Sequence, residues 1–166
     1  MNLTVQKLAN LKIENQKHKV EIHKVFSTLK KKKPKELDEL AQALHLSVFE
    51  QIDCLSCANC CKSLGPRITD LDISRLSKQL RMKPSEFISQ YLLIDEDQDY
   101  VFKSMPCPFL LSDNYCMVYE NRPKACREYP HTDRKRFYQL LTITEKNLET
   151  CPAVMDISKA IVQHFS

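Results

Sequence analysis

The feature that most constrains this chain is the run Cys54-Leu-Ser-Cys57-Ala-Asn-Cys60-Cys61, the first half of a set of eight cysteines completed by Cys107, Cys116, Cys126 and Cys151. Two-residue gaps let a chain curl so that successive thiolates converge on one inorganic centre. Three cysteines in C-x2-C-x2-C match the opening of a bacterial ferredoxin loop, which supplies three corners of a [4Fe–4S] cluster. The fourth ferredoxin cysteine does not follow, because the expected position is Leu64. A distant cysteine must close such a site, and Cys107 and Cys151 are both followed by proline, as the fourth ferredoxin ligand is. The spacing is not the C-x3-C-x2-C of radical enzymes, and no histidine stands where a haem attachment site needs one.

Whether such thiols bind metal or pair with one another depends on the compartment. The first thirty residues are interrupted by Lys7, Lys12, Glu14, Lys17, Lys19 and Glu21, so they hold no apolar run of a secretory signal, and nowhere is there a membrane-length apolar stretch. The expectation is a cytoplasmic chain with reduced thiols that ligate metal. A single glycine, Gly65, excludes glycine-rich phosphate loops of the dinucleotide-binding and nucleotide-triphosphate kinds.

Eight thiolates divide naturally into two four-sulfur sites, since structural zinc and cubane clusters each take four. Adjacent Cys60 and Cys61 point apart, which favours one site opened by Cys54, Cys57 and Cys60 and another taking Cys61 with later cysteines. The alternative is one four-thiolate site with the remaining thiols buried and unliganded. Four thiolates around Zn²⁺ or a [4Fe–4S]²⁺ core leave a net −2 to be offset. Lys62 and Arg67 follow the first cluster, and Arg122, Lys124 and Arg127 flank Cys126. Arg122, Arg127 and Tyr129 are therefore expected beside the metal, where an arginine either braces the loop through Glu120 or Glu128 or holds an anionic substrate. His131 is the histidine nearest the cysteines in sequence.

The remaining pattern is mostly helical. Leu8, Leu11, Asn15, His18, Ile22, Val25 and Leu29 recur at steps of three and four, predicting a helix over about residues 4–30. Pro34 opens a second, with Leu37, Leu40, Ala41, Leu44 and Val48 inward, so residues 1–50 read as a helical hairpin and 51–166 as an eight-cysteine domain. Thr69 and Asp72 spell a capping box ahead of Leu71, Ile73, Leu76 and Leu80. Pro84 and Pro152 each open a further helix, and a turn at 112–114 between Phe109–Leu111 and Tyr115–Tyr119 predicts a small β-hairpin. The fold class is mostly α with one small β-hairpin: a helical hairpin followed by an irregular domain organised by metal.

The segments Cys54-x2-Cys57-x2-Cys60-Cys61, Cys107-Pro-Phe-Leu, Cys116-Met-Val-Tyr-Glu-Asn-Arg-Pro-Lys-Ala-Cys126-Arg-Glu-Tyr-Pro and Cys151 together resemble the YkgJ-type cysteine-cluster family, described as a zinc- or iron-chelating domain with eight cysteines. The resemblance spans about residues 50–155, fills all eight positions and implies metal binding by an iron–sulfur cluster or zinc. Larger relatives include flagellin lysine methylases with a similar cysteine domain, but this chain lacks the length for the rest of such an enzyme.

The net charge of +4 belongs to the first fifty residues, with ten Lys against six acidic residues, while the rest carries fifteen of each sign. The run Lys30–Lys33 with Lys35 reads as complementing a helix C-terminus, since no arginine or aromatic residue is interleaved with it. Metal ions are thus the expected ligands, nucleic acid and membrane are not expected, and the N-terminal helices are the place for a protein partner. The competing functions are an iron–sulfur-dependent redox or transferase enzyme, for which Tyr119, Arg127, Tyr129 and His131 are the available titrating groups, and a zinc-stabilised nucleic-acid module.

Overall fold

A computed structural model describes residues 2–166. In chain order the helices before the sheet are α1 (Leu3–Lys32), α2 (Glu36–Phe49), α3 (Cys54–Cys57), α4 (Asn59–Ser63), α5 (Asp70–Gln79) and α6 (Pro84–Tyr91). Two strands follow, β1 (Leu92–Ile94) and β2 (Tyr100–Phe102), and then α7 (Lys124–Glu128), α8 (Leu141–Asn147) and α9 (Pro152–Phe165). The fold is 62% helical with one two-stranded antiparallel hairpin, in agreement with the sequence pattern. Among the described residues no helix is long and apolar enough to cross a membrane.

The chain divides into two compact units, one formed by the residues up to Cys57 together with Pro130–Ser166, the other by Ala58–Tyr129. The sequence boundary at residue 50 therefore falls inside the first unit, because the C-terminal helix returns to pack with α1 and α2. In that unit the α1 seam closes as its periodicity requires: Leu11, Asn15, Ile22 and Leu29 are buried, with Phe26 among them and Leu8 and Val25 partly covered. Against them lie Leu37 and Ala41 of α2 and Val154, Ile157 and Ile161 of α9. Asn15 sits in this apolar seam because its amide donates to Glu149 at 3.1 Å. Residues 137–148, to which the sequence assigned no element, form a 3-10 turn and α8, and Phe137, Leu141 and Leu148 complete the core. The Asp38 carboxylate holds the entry to that turn, accepting the Arg136 and Phe137 N–H groups at 2.7 and 2.8 Å.

The second unit has its own smaller core of Ile68, Ile73, Leu76, Phe87, Leu92, Phe102, Phe109 and Val118. The rings of Phe87, Tyr91, Phe102 and Phe109 meet at centroid distances of 5.0–6.3 Å. The capping box at Thr69 and Asp72 forms as the sequence specifies and opens α5. Leu71, expected on the inner face, is 74% exposed, because it occupies the first turn on the side opposite Ile73 and Leu76.

The β-hairpin lies elsewhere than expected. The paired strands are 92–94 and 100–102, with Leu92 opposite Phe102, and Leu92 belongs to β1 rather than to α6. The segment 109–119 makes a reversal with only an isolated bridge between Leu110 and Cys116. Its alternating pattern is satisfied by a tight loop in which Leu111 N–H donates to Tyr115 at 2.9 Å and Met117 N–H to Phe109 at 2.8 Å.

Phe26 is fully buried at the centre of the first core. Phe26→Ala is expected to cost about 3–5 kcal/mol, measured as a lowered midpoint in urea unfolding followed by circular dichroism.

Candidate metal centre

None of the eight cysteines is joined in a disulfide. Each unit carries its own group of sulfurs, and each group is held by identifiable local structure.

In the second unit, the Cys107 N–H donates to the Cys61 carbonyl at 2.8 Å, which fixes the 107 loop to the end of the cysteine run. Cys107 and Cys116 pack against the small aromatic core, and the bridge at Leu110 and Cys116 keeps their strands together. Cys126 lies in α7, and α7 is anchored by Asp72. This side chain is fully buried and acts on two elements at once. One oxygen accepts from the Thr69 N–H at 2.9 Å and hydroxyl at 2.7 Å. The other accepts from Arg75 at 2.6 Å and from the Lys124 N–H at 3.0 Å. The cap of α5 is therefore also the brace that presents Cys126. Burial pushes the Asp72 carboxyl up, but the Thr69, Lys124 and Arg75 donors outweigh it and hold it below the ordinary carboxylate value.

Burial first, and after it the charges of Cys107, Cys61 and Cys116, push the Cys126 thiol up to about 12. Burial likewise pushes Cys107 up to about 11, with Cys61 and Cys116 adding to the rise. Cys116 is raised by burial and by Cys61, against the Val118 N–H and the Arg122 charge. Cys61 alone goes down, to about 7, because the Cys60 thiol donates to its sulfur and this outweighs burial, with Lys62 helping.

In the first unit, α3 carries Cys54 and Cys57, and α3 is tied to the start of α1. Asp53 caps it, accepting from Leu55 N–H at 3.0 Å and Ser56 N–H at 3.2 Å. The Thr4 hydroxyl accepts from the Asp53 N–H at 2.9 Å, and the Asn2 amide donates to Ser56 at 2.9 Å. Cys151, the residue that caps α9, is pushed up to about 12 by burial, with the Cys54 and Cys57 charges adding to it. Its neighbours are thus the two cysteines of α3. Ala58, in the left-handed region at φ 47°, ends α3 and starts α4.

Both Cys-Pro pairs share one device. The N–H groups of Phe109 and Leu110 donate toward the Cys107 sulfur, and those of Ala153 and Val154 toward the Cys151 sulfur. Proline has no N–H and its φ is fixed, so the next two amides turn back on the sulfur of the residue before it. At Cys151 these are also the first amides of α9, at the positive end of its dipole. Amide donors aimed at sulfur favour the thiolate over the thiol and are the outer-shell support that metal-bound cysteine requires. The donor set therefore fits a thiophilic cation. As the side chains stand, no three Cys, His, Asp or Glu groups among the described residues are gathered at coordination distance.

Of the residues expected beside the metal, Arg122 stacks over the Tyr119 ring at 3.9 Å and donates to the Tyr119 carbonyl at 2.7 Å. It braces its loop as expected, through a backbone carbonyl rather than through Glu120 or Glu128, and its charge reaches Cys116. Arg127 is exposed, and Tyr129 is half-buried with its N–H donating to Ala125 at 3.1 Å. His131 belongs to the first unit and Cys126 to the second. Asp72 is the important residue that sequence reasoning did not connect to the cysteines. Its capping role was legible, but a hydrogen bond to an amide fifty-two residues away has no sequence signal.

The cysteine spacing agrees with a comparison to protein families. A family model, CxxCxxCC, described as "Putative zinc- or iron-chelating domain", matches residues 53–152. The chain belongs to the CxxCxxCC family. The match covers every cysteine, and the family's description is one of zinc or iron chelation. No curated protein and no solved structure matches the chain significantly.

Asp72→Asn is expected to lower stability by about 1–3 kcal/mol at neutral pH, by removing the charge that four donors address. Because the folded carboxyl is held below its ordinary value, its stabilisation is present in full above that value. It is lost as pH falls through the folded pKa. Urea unfolding of the wild type and the variant should therefore differ at pH 7 and converge in acid.

Proposed function

We propose that this chain is a cytoplasmic metal-binding protein with two thiolate sets, one of Cys61, Cys107, Cys116 and Cys126, the other opened by Cys54 and Cys57 and closed by Cys151. The observation that carries this reading is that the 107 loop is bonded to Cys61 through the Cys107 N–H, and that Cys61, Cys107 and Cys116 each raise the Cys126 thiol while burial penalises its thiolate. The three partly buried thiols whose values are raised, Cys107, Cys116 and Cys126, hold their protons at neutral pH unless a cation takes their place, while Cys61, lowered to about 7, is the readiest to give its proton up. Cys61, Cys107, Cys116 and Cys126 would hold the cation as thiolates, their protons passing to solvent.

For the second set an iron–sulfur cluster is favoured over zinc. It has the ferredoxin triple, a remote cysteine followed by proline, and amide donors on the Cys151 sulfur. When bound, such a cluster supplies one-electron transfer at a potential set by the hydrogen bonds to its sulfurs and by its burial. The chain's own contribution is to orient the thiolates through Asp53, Ala153 and Val154. In the other set, Asp72 and Arg122 position Cys126 and offset the charge at Cys116. Thiols that serve as metal ligands suit a reducing compartment.

Protein purified without oxygen is expected to contain iron and inorganic sulfide and to absorb broadly in the visible. Colourless protein with stoichiometric zinc would replace the cluster with a structural metal, and metal-free folded protein would end the reading. Cys126→Ser and Cys151→Ser should each remove the metal of one set and leave the other loaded. Loss of all metal from both variants would show that the sulfurs do not divide in this way.

A further inference from the structure

The lysine run at the end of α1 lacked, in sequence, any arginine or aromatic partner. The fold of the first unit supplies both. Asp38 accepts the Arg136 and Phe137 N–H groups, which brings the segment Asp133-Arg134-Lys135-Arg136 to the start of α2, beside the turn where α1 ends. Lys33 Nζ lies 5.2 Å from the centre of the Tyr138 ring, which closes the same surface from the other side. Segments a hundred residues apart thus form one basic end.

The charge there exceeds what helix chemistry requires. Lys30, Lys31 and Lys32 occupy the last turn of α1 and complement its dipole, and Lys30 also pairs with Glu145 at 3.4 Å. Lys33, in the left-handed cap, and Lys35 lie beyond that turn, and Arg134, Lys135 and Arg136 come from another part of the chain. Lys31, Lys32, Lys33, Lys35, Arg134, Lys135 and Arg136 are all exposed. The acidic groups nearby are Glu36 and Glu39, in the first turn of α2, Asp38, already engaged by two amides, and the exposed Asp133. Cations remain in excess. The first unit as a whole carries fifteen Lys and Arg against eleven Asp and Glu, whereas Ala58–Tyr129 carries ten of each, so the protein's entire net charge lies in this unit.

We propose that this basic end is a docking surface for the phosphodiester backbone of nucleic acid, engaged without regard to base sequence. Among the cations, the exposed Arg136 supplies a forked donor suited to phosphate oxygens. Base stacking is not part of the mode, because the Tyr138 face is taken by Lys33. A membrane is the poorer fit. Among the exposed residues of 30–36 and 133–136 there is no apolar side chain to enter the acyl boundary.

The test is fluorescence anisotropy of a labelled duplex of about twenty base pairs with the purified full chain, between about 50 and 200 mM salt. Binding that weakens steeply with salt, and equally for duplexes of different sequence, is expected. The pair Lys35→Gln and Lys135→Gln should weaken binding more than about tenfold and flatten the salt slope by about 1.8, the value for two lost phosphate contacts. The control pair Lys12→Gln and Lys24→Gln removes the same charge from elsewhere on α1 and should leave binding within about twofold. Far-ultraviolet circular dichroism should be unchanged in both, since all four side chains are exposed. Three results would overturn the proposal: no association at the lowest salt, equal loss in the control pair, or binding to phosphatidylcholine–phosphatidylserine vesicles without binding to the duplex.

Discussion

The structure rests on the cost of holding sulfur next to sulfur out of water. A buried thiolate is penalised by its lost hydration and again by each like neighbour, which is why Cys107 and Cys126 are driven to about 11 and 12. No protein cation is placed to cancel that many charges. Lys62 and Arg122 each reach one sulfur, and Arg127 faces solvent. What the chain offers instead is direction: amides from Phe109, Leu110, Ala153 and Val154 converge on sulfurs, and Asp72 holds Cys126 to the others. This preparation is of use to a thiolate and of little use to a neutral thiol.

The two units hold their cysteines by different means. In the second, a small aromatic core lies directly under Cys107 and Cys116, so the sulfur-bearing loops are anchored by ring packing as well as by hydrogen bonds. In the first, the three long helices supply the rigidity, and Cys54 and Cys57 sit on a single turn fastened to α1. The first fifty residues, which the cysteine pattern left without a role, are thus the foundation of one of the two groups.

What the sequence made legible was local or periodic. The α1 seam, the Thr69–Asp72 box and the prolines opening α6 and α9 each follow from rules acting within a few residues, and each formed where expected. The division of the sulfurs was an expectation from spacing and from a divergence of adjacent Cys60 and Cys61, whereas in the structure the Cys60 thiol donates to the Cys61 sulfur. What was not legible was long-range. Strand pairing went to 92–102 because Leu92 and Phe102 bury into the aromatic core, while the better-patterned 109–119 segment was taken up by turns around Cys116. The boundary near residue 50 reflected composition, whereas the actual units follow the return of α9 to α1. The second oxygen of Asp72 and the meeting of Arg134–Arg136 with the lysine run depend on tertiary contacts that no window of sequence contains.

The fastening of α3 to Asn2 and Thr4 carries a practical consequence. A buried threonine hydroxyl and an amide at the very front of α1 are the mooring of Asp53 and Ser56, so disturbance at the amino end is transmitted to Cys54 and Cys57 across fifty intervening residues. An affinity tag fused directly ahead of Asn2 would crowd that mooring, and one fused after Ser166 would leave it untouched.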